Sequence, residues 1–139
     1  MGKIRVLFIC THNAARSQMA EGYLRAKYGD RFEAFSAGTH SSRVSGYAAE
    51  VMDEIGIDIS GHRSKTLDEF AGQDMDIVVT VCDAARDECP ILPGAKETIH
   101  AGFPNPRGYS GEREQILCGF REVRNAITTW IDANLAPRS

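Results

Sequence analysis

Apolar and polar positions along this chain switch between the two-residue period of strands and the 3.6-residue period of helices. Ile4 to Ile9 is an apolar, β-branched run of the kind buried on both faces of a parallel sheet. Ser17 to Tyr28 follows as a helix, with Met19, Ala20, Tyr23 and Leu24 at helical spacing, and Gly29-Asp30 ends it. Phe32 to Ser36 reads as a short second strand closed by Ala37-Gly38. Tyr47 to Ile55 reads as a second helix stopped by Gly56, and Thr66 to Ala71 as a short third one. Met75 to Cys82, with Ile77-Val78-Val79-Thr80-Val81 inside it, is the strongest strand in the sequence. Thr98 to His100 closes a weaker fourth strand. Gln115 to Leu135 is a long amphipathic helix turning Ile116, Phe120, Val123, Ile127 and Trp130 to the core. The order β-α-β-α-α-β-β-α predicts an α/β fold, a parallel sheet covered by helices on both faces. In such sheets ligands bind at the carboxyl ends of the strands. Cys10 and Cys82 both fall at such ends.

The length of 139 residues suits one catalytic domain with one core and leaves no room for two, and no linker or repeat divides it. A net charge of -3 argues against general affinity for nucleic acid or anionic membrane, which requires a basic face. The apolar run from Val6 to Cys10 is too short for a membrane span and lacks the marks of a signal peptide. The expected compartment is the cytoplasm. There, cysteines are more often catalytic or redox-active than disulfide-bonded. The chain has four, at positions 10, 82, 89 and 118, and no pair has the tight spacing of a zinc knuckle. Cys118, near the apolar stripe of the last helix, reads as inert packing.

The densest chemistry lies in Cys10-Thr11-His12-Asn13-Ala14-Ala15-Arg16-Ser17. A loop from a strand end to a helix start turns successive backbone N–H groups inward, at the positive end of the helix. Thr11, His12, Asn13, Ala14, Ala15 and Arg16 are therefore expected to wrap a tetrahedral oxyanion, with the Arg16 guanidinium forking onto two of its oxygens. The same field favours the Cys10 thiolate. Ser17 can donate a hydrogen bond to that thiolate, and Asn13 can tie the loop to its surroundings. His12 reads more simply as a ring pointing to solvent than as a base.

These residues, with Val6 to Ile9 before them and Gln18-Met19-Ala20-Glu21-Gly22 after, resemble the start of the low-molecular-weight tyrosine phosphatases. They are more closely similar to the thioredoxin-coupled arsenate reductases built on that fold. The likeness continues through Phe35 to Gly38, Glu54 to Ser60, Asp76 to Cys82 and Cys89-Pro90-Ile91-Leu92-Pro93. It implies a four-stranded parallel sheet flanked by helices, and a relay of three cysteines. By that resemblance Cys10 attacks arsenate, Cys82 attacks Cys10 and releases arsenite, Cys89 moves the disulfide to Cys82–Cys89, and thioredoxin resets the enzyme. No cofactor is implied. Thiol–disulfide exchange needs a thiolate attacker, a reachable sulfur and a good leaving thiol, which is consistent with this order.

The chain departs from the resemblance at three places. Relatives carry an Asp before a Pro as general acid, whereas this chain reads Gly102-Phe103-Pro104-Asn105-Pro106, and Asn105 cannot ionise. A phosphatase must protonate a poor leaving group, where general acid catalysis is worth about 10²–10⁴-fold. Arsenate reduction loses water or hydroxide and can recruit solvent, His100, Asp83 or Asp87, so the departure weighs more against phosphatase activity. Ala15 replaces a Cys often found in the reductases. Lys65 stands where some relatives place an Asp that helps hold a cation, and its ammonium can fill that place, so no metal is expected. Three readings follow: an arsenate reductase, a phosphatase using Cys10 and Arg16, and a non-catalytic oxyanion-binding module.

Overall fold

The computed structural model describes residues 2–40, 42–82, 95–104, 106 and 111–138. Four strands, β1 (Ile4–Cys10), β2 (Phe32–Gly38), β3 (Met75–Thr80) and β4 (Ala95–His100), form one sheet in the order β2-β1-β3-β4, every neighbouring pair parallel. The helices among the described residues are α1 (Arg16–Tyr28), α2 (Gly46–Asp53) and α3 (Arg113–Asn134), with a 3-10 turn at Leu67–Phe70. The α/β class and the four-stranded parallel sheet expected from the pattern are both present.

Both faces of the central strands are dry. Val6, Phe8, Ile77 and Val79 on one face, and Leu7, Ile9 and Val78 on the other, are all at most 3% exposed. The first face meets α1, where Ser36 donates to Glu21. On the opposite face, Phe70 of the 3-10 turn stands edge-on to Phe35 with ring centroids 5.7 Å apart. Burying both faces explains why β1 and β3 read as continuous apolar runs. The helices α1, α2 and α3 pack on one another, with Phe120 of α3 against Tyr47 of α2 at 5.5 Å.

Several boundaries differ from the sequence pattern. The strand expected to stop at Ser36 runs on to Gly38, because Gly38 pairs with Cys10 and bridges to Thr66. β4 begins at Ala95 instead of Thr98, since its backbone pairs with β3 although Lys96 and Glu97 are exposed. β3 ends at Thr80 and leaves Cys82 two residues beyond the strand, although Val81 still donates to Ile9 O at 2.8 Å. The segment from Thr66 to Ala71 is a single 3-10 turn. Cys118 is exposed, not packed; one position round from buried Leu117 carries it off the apolar stripe. Trp130 is only half-buried, edge-on to Phe103.

Helix α1 packs tightly because Gly22 lets it approach Ile59. A Cβ there would sit 2.6 Å from Ile59 Cγ2. In Gly22→Ala two effects oppose each other. Helix propensity favours Ala by about 1 kcal/mol, while overpacking a filled core costs about 1–3 kcal/mol. The steric cost prevails, and we expect a net loss of about 1 kcal/mol, read as a lower denaturation midpoint at unchanged slope.

Candidate functional site: the loop between β1 and α1

The three helix starts differ in one telling way. Ser45 caps α2 by accepting from Ala48 N–H, and α3 begins with a reciprocal capping box between Glu112 and Gln115. Helix α1 begins at Ala15 with no side-chain cap. Its first N–H groups are therefore left to the loop of residues 10 to 17, at the positive end of the helix.

Asn13 organises that loop. It adopts the left-handed region at φ 50, which asparagine tolerates better than most residues. Its side chain is fully buried. Its Oδ1 accepts from Lys65 N–H at 2.9 Å and from Gln18 Nε2 at 2.8 Å, and its Nδ2 donates to Ser17 Oγ at 2.7 Å. Because Ser17 Oγ accepts that bond, its own proton is free for Cys10 Sγ, 2.9 Å away. The sulfur then sits as an acceptor, the role a thiolate fills. Cys10 is the last residue of β1 and only 3% exposed.

Cys82 is equally buried and lies beside the same loop, its Sγ 3.4 Å from Thr11 Oγ1. Arg16 opens α1 and donates to Phe103 O at 3.1 Å. Ala14 and Ala15 are buried, and Ala14 O accepts from Ser45 N–H at 2.8 Å. His12 is exposed, as its sequence reading holds. Cys89, Asp83, Asp87 and Asn105 lie outside the described residues. The fold thus brings Cys10, Thr11, Asn13, Arg16, Ser17 and Cys82 to one edge of the sheet. Cys118 lies apart from them on the exposed face of α3.

Beneath the loop is a buried polar cluster that the residue pattern did not single out. Glu21 is 3% exposed and accepts from Ser36 Oγ at 2.6 Å. Around it stand Arg25 Nη1 at 2.8 Å, His62 Nδ1 at 3.5 Å and Lys65 Nζ at 3.7 Å. The available signal was a carboxylate set among Met19, Ala20, Gly22 and Tyr23 on a buried helix face. Lys65 therefore places an ammonium against a buried carboxylate, and the described residues contain no cluster of three or more metal-ligating side chains. Arg25 reaches His62 Nε2 at 3.3 Å, which makes that nitrogen the acceptor; Nδ1–H then donates to Gln18 Oε1 at 3.0 Å. Burial holds the His62 pKa below the usual imidazole value, against the upward pull of Glu21. His62 is thus a neutral donor that orients Gln18, which in turn holds Asn13.

A cavity of about 750 Å³ opens next to Ala14, walled by Val44, Tyr47, Ile116 and Phe120.

The sequence matches the family model described as low molecular weight phosphotyrosine protein phosphatase over residues 5–136. It is 43% identical over 127 residues to the arsenate reductase of Halalkalibacterium halodurans, covering 91% of each chain. With arsenate reductase 1 of Staphylococcus saprophyticus it shares 44% over 132 residues, 95% of this chain and 96% of the other. Among solved structures, an arsenate reductase in the phosphate binding state superposes with a TM-score of 0.84 at 32% identity, covering 98% of this chain and 99% of that one. The low molecular weight protein tyrosine phosphatase of T. tengcongensis does so at 0.79 and 27%, covering 98% and 100%. A family model spanning nearly the whole sequence, and relatives this similar along nearly their full length, mean that the chain belongs to the low molecular weight phosphotyrosine protein phosphatase family, alongside its arsenate reductases.

Proposed function

We propose that the chain reduces arsenate to arsenite, with Cys10 as nucleophile and Cys82 and Cys89 as the thiols that carry the electrons. The observation that carries this reading is the second buried cysteine: Cys82 Sγ stands against Thr11 of the loop that begins at Cys10. A phosphatase has no use for it there.

The loop N–H groups and Arg16 hold the arsenate oxygens, and the Cys10 thiolate attacks arsenic with loss of water. Cys82 as thiolate then attacks Cys10 Sγ. The S–As bond breaks, its electron pair passes to arsenic, and As(III) leaves as arsenite with a Cys10–Cys82 disulfide behind. Cys89 attacks Cys82 and frees Cys10. A thioredoxin-type dithiol reduces the Cys82–Cys89 bond and closes the cycle. No metal or cofactor is needed. No helix among the described residues is long and apolar enough to cross a membrane, in keeping with action on a dissolved oxyanion in the cytoplasm.

The relay is tested by two variants treated with arsenate and mapped without reductant. Cys89→Ser should complete one round and accumulate a Cys10–Cys82 disulfide with one arsenite per chain. Cys82→Ser should bind arsenate on Cys10 and release no arsenite. Sustained turnover by both would overturn the relay and leave only the oxyanion loop. A phosphatase reading has the cavity beside Ala14 in its favour, which has room for an aromatic phosphate ester. Asn105 in place of the general acid counts against it, and release of nitrophenol from its phosphate ester decides between the two.

A further inference from the structure

Arg16 stands at the start of α1, yet the atom it bonds lies far along the chain, beyond the end of β4. Its Nη1 donates to Phe103 O at 3.1 Å. That carbonyl is held from three directions. Phe103 N–H donates to Val81 O at 3.1 Å, one residue before Cys82. Pro104 follows Phe103 and disfavours a helical backbone there. The half-buried Phe103 ring stands edge-on to Trp130 of α3, with centroids 6.4 Å apart and planes inclined at 86°. The guanidinium is therefore tethered at the same edge of the sheet as Cys10 and Cys82.

The tether leaves the guanidinium able to work. It carries five N–H donors in one plane. With Nη1 on Phe103 O, the edge made by Nε–H and Nη2 is still whole, and one such edge suffices to fork onto two oxygens of an anion. The partner is also a neutral carbonyl. A carboxylate in its place would form an ion pair that an arriving anion must break, whereas a carbonyl leaves the positive charge uncompensated. A loose arginine would lose its rotamer freedom when an anion binds, and a tethered one has lost it already.

We propose that Phe103 is a positioning residue for Arg16: its main-chain carbonyl, pinned by the ring packed on Trp130, holds the guanidinium ready for the oxyanion. The inference rests on reading residues 10 to 17 as an oxyanion site with Arg16 as its fork. Phe103 acts through Arg16 and takes no part in the chemistry itself.

Inorganic phosphate is the probe, titrated by calorimetry into the full chain. Phe103→Ala frees the carbonyl from Trp130 and should weaken phosphate binding about ten-fold, the scale of one hydrogen bond to a charged group. Trp130→Leu loosens the same ring from the helix side and should weaken binding by a smaller factor. Arg16→Gln is uncharged and two bonds shorter, so phosphate is then held by the loop N–H groups, more weakly. In that background Phe103→Ala should change affinity by no more than about two-fold, because the residue it acts through is gone. A purely packing role for Phe103 gives the same loss in both backgrounds. Thermal melts accompany every variant, and if Phe103→Ala does not fold, Trp130→Leu is carried through the same cycle. An equal loss with and without Arg16, or no loss in folded Phe103→Ala protein, would overturn this inference alone. Failure of the wild-type protein to bind phosphate would overturn the oxyanion reading, and this inference with it.

Discussion

Cys10→Ser should abolish arsenite formation while the protein keeps its fold. A serine hydroxyl is almost wholly protonated at neutral pH and is a far weaker nucleophile than a thiolate. The Ser17 hydroxyl stands 2.9 Å from Cys10 Sγ beside the uncapped start of α1, so the contacts around the nucleophile are set for a sulfur and not for a shorter-reaching hydroxyl. Cys10 is nearly fully buried at the end of β1, where oxygen for sulfur removes little volume, so the melting temperature should move by no more than a few degrees. Arsenite release is measured with excess dithiol, so that failed recycling cannot imitate failed attack. Retained production would show that another group is the nucleophile.

Gly38→Ala should cost about 10²-fold in turnover although Gly38 bears no functional group. Gly38 pairs with Cys10 across the sheet. A Cβ on it would lie 2.7 Å from His40 O, 2.8 Å from Thr11 O and 2.9 Å from Asn13 N. All three are backbone atoms, and two belong to the oxyanion loop, so no side-chain rotation relieves the contact. The loop must shift, and displacements near 1 Å at a reacting centre can cost about 10²-fold. Overpacking adds about 1–3 kcal/mol of lost stability, so denaturant midpoint and turnover should be measured together. A variant with normal stability and normal turnover would show that the loop adjusts freely.

The alternation of strand and helix and the anion loop were legible from local pattern, because strand and helix periods and a Cys-to-Arg-Ser turn are short-range properties. Where β2 ends was not. Ser36-Ala37-Gly38 looks like a strand closing into a turn, yet Gly38 is held in the sheet by partners at Cys10 and Thr66, distant in sequence. β4 was half-hidden for the same reason, since its backbone pairs with β3 while side chains such as Lys96 and Glu97 remain in solvent. Cys118 was misjudged because a helical stripe is about 100° wide, and one position beside Leu117 is enough to leave it.

By itself the sequence determined the elements, the parallel class of the sheet and the residues able to form an oxyanion loop with a thiol at its start. Only the tertiary structure decided which groups hold that loop in shape. Glu21, Gln18, His62 and Lys65 converge beneath it, Gly38 closes on it from β2, and Cys82 reaches Thr11 from just past the end of β3. Apart from the bond between Gln18 and Asn13, these contacts join segments far apart along the chain. A residue's type states what bonds it can make, but only the packing of the sheet and helices sets the distance at which it makes them.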